Sequence, residues 1–502
     1  MKVGIDFGTT RTLVSFVDRG NYPYVTFVDE DGSQWEHFPS LVAWHDNEWK
    51  FGFAAEKAGR AGAVVLRSFK RFLSAADISA DTEIKVGERS ISIGALLTGF
   101  LSALRLALET QSNCIRLKND VDWDAVVAVP AHACAAQRFL TLDAFQSAGF
   151  SVRAVMNEPS AGGFEFSHRQ SRAISQRRNR VLVYDLGGGT FDASLVQLSG
   201  GHHEVLATVG HNRLGGDDFD TELARLVLQA EQRERGSLSE QAYATLLDAC
   251  RAAKESIGPN TRRIVVDSET AITIPIPVAD YYRAVTPLVE QSISLMRPLI
   301  QQMEEGAQEA ELAGIYLVGG ASALPIVARM LRESFGRRVF RSPYPAASTA
   351  LGLAIAADET GGFSITDRFS RSFGVFRERN GGCEVSFDPI LRPDIELPRE
   401  GMTVVQRRYQ AAHNLGHFRF VECPTLNAEG EPQGELIPFG EVLFPFEAAL
   451  REATDLANVP IERHGAGHWI EERYLIDPNG LVEFEIEDLR DGYTKSFALG
   501  GA

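Results

Sequence analysis

Asp6-Phe7-Gly8-Thr9-Thr10 and Asp185-Leu186-Gly187-Gly188-Gly189-Thr190 place three residue types in the same order: an aspartate, then glycine, then threonine. Each set sits inside an apolar run, Val3 to Val17 and Val181 to Leu198, and reads as a β-hairpin with a polar tip. A phosphate group needs backbone N–H groups that approach it closely, hence glycine, with hydroxyls donating alongside. An aspartate beside such a tip holds the water shell of Mg²⁺, an ion that keeps several of its waters. One Gly-Thr hairpin tip is commonplace; two in one chain point to a duplicated lobe. No G-x-x-x-x-G-K-[ST] occurs, which excludes the P-loop route to ATP.

Three further segments carry polar chemistry at element ends. Asn157-Glu158-Pro159-Ser160-Ala161-Gly162 follows a strand and puts a carboxylate at the start of a helix. Leu214-Gly215-Gly216-Asp217-Asp218-Phe219-Asp220 is a glycine turn before a helix. Leu317-Val318-Gly319-Gly320-Ala321-Ser322 ends a strand in a glycine pair and opens a helix, where a nucleoside could lie against bare backbone.

The elements that must position these residues alternate between strand and helix as far as about Glu359. Val126 to Val129 reads as a strand and Ala135 to Ala148 as a helix, the α/β signature. Thr360-Gly361-Gly362 breaks the pattern. Beyond it, Phe373 to Phe376, Cys383 to Phe387, His417 to Val421, Arg473 to Ile476 and Leu481 to Ile486 read as short strands, with Asp477-Pro478-Asn479-Gly480 as a hairpin turn. Phe446 to Leu456 reads as one helix among them. The expected organisation is an α/β domain over 1–359, a linker over 360–367 and an all-β sandwich over 368–502.

Composition narrows the partners. The 502 residues carry a net charge of −17, which argues against a protein that grips nucleic acid, since phosphate backbones need a basic surface. The Arg172, Arg177 and Arg178 run reads as a solvated loop. Cys114, Cys134, Cys250, Cys383 and Cys423 lie far apart and read as reduced thiols. There is no signal-like start and no uninterrupted apolar stretch of about 18 residues, so the expectation is a cytoplasmic protein with no membrane partner.

Taken in order, these motifs resemble the nucleotide-binding domain of the 70-kDa heat-shock (DnaK-type) chaperones, of the actin-like, ribonuclease H-like fold. The resemblance spans Met1 to about Glu359. It implies ATP or ADP with Mg²⁺, and potassium as a further ion. It implies that Lys70, in Ser68-Phe69-Lys70-Arg71, orients the attacking water, with Glu158, Asp185 and Thr190 beside it in catalysis. Gly8, Thr9, Thr10, Gly187, Gly188, Gly189, Gly215, Gly216, Asp217, Lys254, Gly319, Gly320 and Ala321 would hold the nucleotide. Asp6, Glu158, Asp185 and Asp192 would surround the metal, mostly through water. Pro130 and Arg138 match residues that relay nucleotide state to the second domain. More thinly, Arg371 to Val375, Pro389 to Leu391, Glu396 to Pro398, Leu415 to Phe418 and Ile470 to Gly480 resemble the family's peptide-binding β-sandwich. The implied function is a slow ATPase switch acting on an unfolded or dedicated client polypeptide, with co-chaperones as further partners. The alternatives are a partner-binding module that uses nucleotide as a conformational ligand with little hydrolysis, and a small-molecule kinase of the same fold.

The sequence also departs from that pattern. It ends at Ala502, soon after the last sandwich strand, so a member without the helical lid or acidic tail is expected. An insertion from about Thr425 to Gly467 takes the place of shortened strands. The linker Phe363-Ser364-Ile365-Thr366-Asp367 has one aliphatic residue, which implies weaker docking. Two basic side chains that flank adenine in the family correspond to Glu255 and Ala323, Ala346 replaces an acid, and Arg251 replaces another. Weakened adenine binding and competition by GTP are expected, unless Arg251 swings over the base.

Overall fold

The computed structural model describes residues 1–114, 122–267, 274–305, 311–336, 338–369, 371–380, 383–392, 395–465 and 467–499; the chain end at Ala502 lies outside them. The chain forms two compact units. One comprises Met1–Phe72, Glu83–His132 and Phe145–Ile365; the other comprises Leu73–Thr82, Ala133–Ala144 and Thr366–Ala502. The helices are α1 (Phe53–Arg60), α2 (Ile93–Thr110), α3 (Ala135–Ser147), α4 (Glu158–Arg169), α5 (Gly216–Ala230), α6 (Glu240–Glu255), α7 (Val278–Glu305), α8 (Pro325–Phe335) and α9 (Ser348–Ala357).

In the first unit, both predicted hairpins form. Lys2–Phe7 pairs antiparallel with Arg11–Phe16, and Arg178–Leu186 pairs antiparallel with Phe191–Ser199. Each leading strand also pairs in parallel with a later strand, Asp124–Val129 in the first lobe and Glu311–Val318 in the second. Thus one scheme is built twice. The first sheet has five strands and the second has six, Ser364–Thr366 adding itself at the edge beyond His202–His211. Ser364 donates its N–H to the Gly201 carbonyl at 2.9 Å, and its hydroxyl lies 3.0 Å from His202 Nδ1. Phe363, just before it, packs edge-on against Phe164, 5.9 Å between ring centroids.

Helices cover both sheets because the strands are apolar on both faces. Tyr184, Leu195 and Leu317 of the second sheet bury against Phe219, Leu223, Val285 and Val289 of α5 and α7. Its other face, with Val183, Val196 and Tyr316, receives Phe166 of α4. Leu353 and Ile355 of α9 pack with Val126 and Ala128 of the first sheet and with Ala161 and Phe164 of α4. Phe7 meets Phe100 of α2 at 5.5 Å on the opposite face. α2 is long and apolar enough by length and composition to cross a membrane, but Leu97, Phe100, Leu101 and Leu104 are buried as a core face, interrupted by Arg105 and Glu109.

The second unit contains two four-stranded sheets. One runs Glu384–Leu391, Ser372–Arg379, Leu415–Cys423, Ile437–Pro445; the other runs Thr403–Gln410, Trp469–Ile476, Val482–Asp488, Tyr493–Leu499. Side chains alternate, as the pleat requires, so Phe373, Phe420, Phe444, Tyr474 and Phe484 share one core. The inserted region supplies one of these strands: Ile437–Pro445 pairs along Leu415–Cys423. The predicted helix over Phe446 to Leu456 does not form; only the short 3₁₀ turns Ala448–Leu450 and Leu456–Asn458 appear. Its opening N–H groups, on Phe446 and Glu447, both donate to the Asn414 carbonyl, and Phe446 is buried in the sandwich core. The Asp477 turn forms as read, with its carboxylate accepting from the N–H groups of Asn479 and Leu481. A buried polar cluster joins the two sheets. Glu472, with no exposed surface, accepts from Arg377 at 2.5 Å and from the hydroxyls of Tyr409 and Tyr474 at 2.7 Å.

Within this unit, Glu422 accepts from the Ala135 N–H at 3.2 Å with both oxygens. Burial pushes its carboxyl up from 4.5 to about 7, against Arg371, that N–H and Arg138. The folded chain therefore holds this proton more tightly than the unfolded chain. Its stabilising effect is complete below about pH 4.5 and is lost as pH rises through about 7. In urea unfolding of the full chain, wild type should lose about 3 kcal/mol relative to Glu422→Gln between about pH 5 and pH 8. A difference that does not change with pH would refute this.

Candidate functional site

The two hairpin tips meet in the first unit. A Cβ built on Gly188 would lie 2.9 Å from Thr10, and one on Gly189 would lie 2.8 Å from the Thr9 hydroxyl. The second tip is pinned from behind by the α5 turn. The N–H groups of Gly216 and Asp217 donate to the carbonyls of Gly187 and Gly188 at 2.9 and 2.8 Å. Gly215 must be glycine here, because a Cβ would stand 2.6 Å from the Gly188 carbonyl oxygen.

Lys70 reaches the tips from the 3₁₀ segment Phe69–Ser74. Phe69 anchors that segment, fully buried against Phe7 and Phe100, and Ser68 turns into it with φ 51°, in the left-handed region. The Lys70 ammonium is buried, donates to Glu158 at 2.8 Å and lies 5.4 Å from the Phe7 ring centroid. Glu158 opens α4, held there because Asn157 ends a strand and Pro159 suits a first helical turn.

Three aspartates surround this pair. Burial and then Glu158 push Asp6 up to about 7, against the pull of Lys70. Burial, Glu158 and Asp6 raise Asp185 well above the usual carboxylate range, although Lys70 and the Thr349 hydroxyl oppose the shift. Burial, Glu158 and Asp185 likewise raise Asp192, which accepts from the His132 N–H at 3.3 Å. Carboxylates raised by one another fit a cation between them. Among the described residues no group of three or more His, Cys, Asp or Glu stands close enough to ligate a metal directly. The oxygen donors of these carboxylates are of the kind that fits Mg²⁺, an ion that keeps several of its waters.

One cleft is lined by Asp6, Gly8, Thr9, Thr10, Lys70, Glu158, Asp185, Gly187, Gly188, Thr190, Gly216, Asp217, Lys254, Gly319, Gly320 and Ala321, sixteen of the residues singled out in the sequence. Gly189, Gly215 and Asp192, also singled out, do not line it. Gly319 takes φ 82°, and a Cβ there would meet the Asp185 carboxylate at 2.3 Å. The strand Glu311–Val318 is followed first by a 3₁₀ turn, Gly320–Ala323, with α8 beginning only at Pro325. Of the four altered positions, Glu255, Arg251 and Ala346 line the cleft and Ala323 does not. Arg251 is not free to swing. It binds Asp217 at 3.1 Å, Asp220 at 3.3 Å and Asp248 at 3.8 Å, and although burial works against its charge, these carboxylates raise its pKa. Lys254 donates to the Gly216 carbonyl at 2.8 Å and pairs with Asp220 at 2.7 Å.

Arg11, Leu13, Asp220 and Thr349 also line the cleft, and sequence reasoning did not select them. Asp220 closed a quoted motif and Arg11 followed the first tip directly, so adjacency was the available signal. Thr349 carried none.

These lobes and tips define a two-lobed, actin-like ATPase fold accompanied by a β-sandwich. A family model described as "Hsp70 protein" matches residues 2–375. The chain is also similar to proteins named "Chaperone protein HscA homolog". That of Shewanella denitrificans is 32% identical over 375 residues, 71% of this chain and 58% of that protein. That of Polynucleobacter necessarius subsp. necessarius is 32% identical over 463 residues, 85% of this chain and 72% of that protein. The chain belongs to the Hsp70 family, and its matches span between 58% and 72% of these relatives' length.

Gly215→Ala should push the Gly187–Gly189 tip out of place without touching either sheet core. A displacement of that kind would cost an ATPase about 10²-fold in turnover. Turnover within threefold of wild type, with an unchanged melting temperature, would show that the tip tolerates the Cβ.

Proposed function

We propose that this chain binds ATP and Mg²⁺ in the cleft, hydrolyses ATP slowly, and couples nucleotide state to a client or partner polypeptide at the sandwich. The observation that carries this reading is the Lys70–Glu158 pair, buried among Asp6, Asp185 and Asp192 where the two glycine tips meet. Thr9, Thr10, Thr190 and the glycine N–H groups would hold the phosphates. Asp6, Asp185, Asp192 and Glu158 would hold the metal's waters, and a bound Mg²⁺ would neutralise charge on the phosphate oxygens. Lys70 would orient the attacking water and stabilise charge developing on the γ-phosphoryl group, while Glu158 holds the ammonium in place. Gly319, Gly320 and Ala321 would face the nucleoside, with Lys254 and Asp217 behind the tip. Potassium beside the same carboxylates, a co-chaperone partner, the 1–359, 360–367 and 368–502 domain division, and a role for Pro130 and Arg138 in coupling all belong to this proposal.

A second reading, a module dedicated to one partner with little hydrolysis, draws on the second unit. There the space between the sheets holds Arg377, Glu472, Tyr409 and Tyr474 in mutual hydrogen bonds. A fully satisfied buried polar network rigidifies the sandwich, which suits one preformed surface more than one that adapts to many chains. Titrating an unfolded model peptide in ADP and then in ATP separates the two. A nucleotide-dependent affinity supports the client reading; no binding in either state supports the dedicated partner.

Lys70→Ala should lower single-turnover hydrolysis by roughly 10²–10³ while ATP affinity stays within about threefold. Unchanged hydrolysis would remove Lys70 from the mechanism.

A further inference from the structure

The cleft has two kinds of lining. Asp6, Glu158, Asp185 and Lys70 bring charge to it, whereas Gly320, Ala321 and Ala346 present backbone and methyl groups, and a Cβ on Gly320 would meet only open space. Such a bare wall suits the face of a planar ring, and a ring gains most when a cation covers its other face. Lys254 and Arg251 are tied into Asp217, Asp220 and the Gly216 carbonyl. Arg11 is not. It enters from the first lobe, one residue beyond Thr10, and among the described residues its one ion pair is with Glu255 of α6 in the second lobe, at 2.5 Å. Both side chains are partly exposed, 34% and 42%, so the pair lies at the cleft mouth.

We propose that Arg11 is a nucleobase-binding residue: its guanidinium, held across the cleft by Glu255, covers the base of the bound nucleotide. This rests on the nucleotide-binding reading above. Glu255 of α6, in the opposite lobe, serves as the positioning residue of this guanidinium. A guanidinium stacks on any base, so the contact adds affinity without selecting adenine.

The test is competition against labelled ADP, using unlabelled ADP, GDP and inorganic pyrophosphate, on wild type and three variants. Arg11→Ala should weaken ADP and GDP alike by about three- to thirtyfold and leave pyrophosphate within about twofold. Glu255→Gln should weaken both by a smaller factor, because Arg11 then loses its anchor. Arg11→Ala combined with Glu255→Arg should recover most of the loss, because a guanidinium is returned to the mouth from α6. Equal losses for pyrophosphate and ADP would make Arg11 a phosphate ligand and overturn the proposal, as would unchanged ADP affinity in Arg11→Ala. If Arg11→Ala fails to fold, Glu255→Gln alone decides by the same ADP-to-pyrophosphate comparison. Wild type that binds no ADP would overturn the nucleotide reading itself, a result distinct from either.

Discussion

Two helices pass each other at backbone contact, and the site depends on that approach. A Cβ on Gly352 of α9 would stand 1.9 Å from the Ala161 carbonyl oxygen of α4, and one on Gly4 would stand 2.3 Å from the Ala354 nitrogen. α9 thus lies flat on the first sheet while touching α4, which itself covers the second sheet. Any side chain at Gly352 would pry the lobes apart by more than the packing could absorb. Through this contact the tips of two hairpins, almost 180 residues apart in sequence, come together with Thr9 against Gly189.

Charge then does what apolar packing does not. The tips bring Asp6 and Asp185 together, and Asp192 joins them across the second hairpin, where it pairs in register with Asp185. Lys70 answers part of that charge through Glu158. Burying like charges together is unfavourable, and that is what keeps these carboxyls above the usual range. A second ring of ion pairs stands further out. Arg67 with Asp248 at 2.6 Å, Arg71 with Asp218 at 2.8 Å and Arg11 with Glu255 all run between the first-lobe segments and α5 or α6. These pairs are partly exposed, so each contributes little to stability.

The second unit uses the same two resources differently. Its core is aromatic: Phe420 lies within about 6 Å of Phe373, Tyr474 and Phe484, and Tyr474 stacks on Phe484. Its sheets are pinned together by a buried carboxylate, Glu472, shared by an arginine and two tyrosines. Such a network rigidifies a sandwich only when every member is satisfied. The inserted strand Ile437–Pro445 completes one sheet, and so belongs to the core and not to a surface loop.

Local pattern carried the hairpins, the glycine tips, the start of α4 and most sandwich strands, because alternation, glycine and proline act over a few residues and are written in order along the chain. Those motifs, together with the family resemblance that alone implied Lys70 and Lys254, made sixteen of the cleft residues legible. Pattern failed at Phe446 to Leu456, where helical spacing lost to a backbone carbonyl, that of Asn414, which sits just before the neighbouring strand Leu415–Cys423 and 32 residues back in sequence. It also left open whether Arg251 is mobile, and it passed over Thr349 and Arg11. The reason is common to all of these. Arg251 is held by Asp217 and Asp220, Thr349 meets Asp185, and Arg11 meets Glu255 from 244 residues away. Sequence specified which residues could bind a phosphate. Only the packing of one lobe on the other decided which charges would face each other across the cleft, since that depends on distances no local rule encodes.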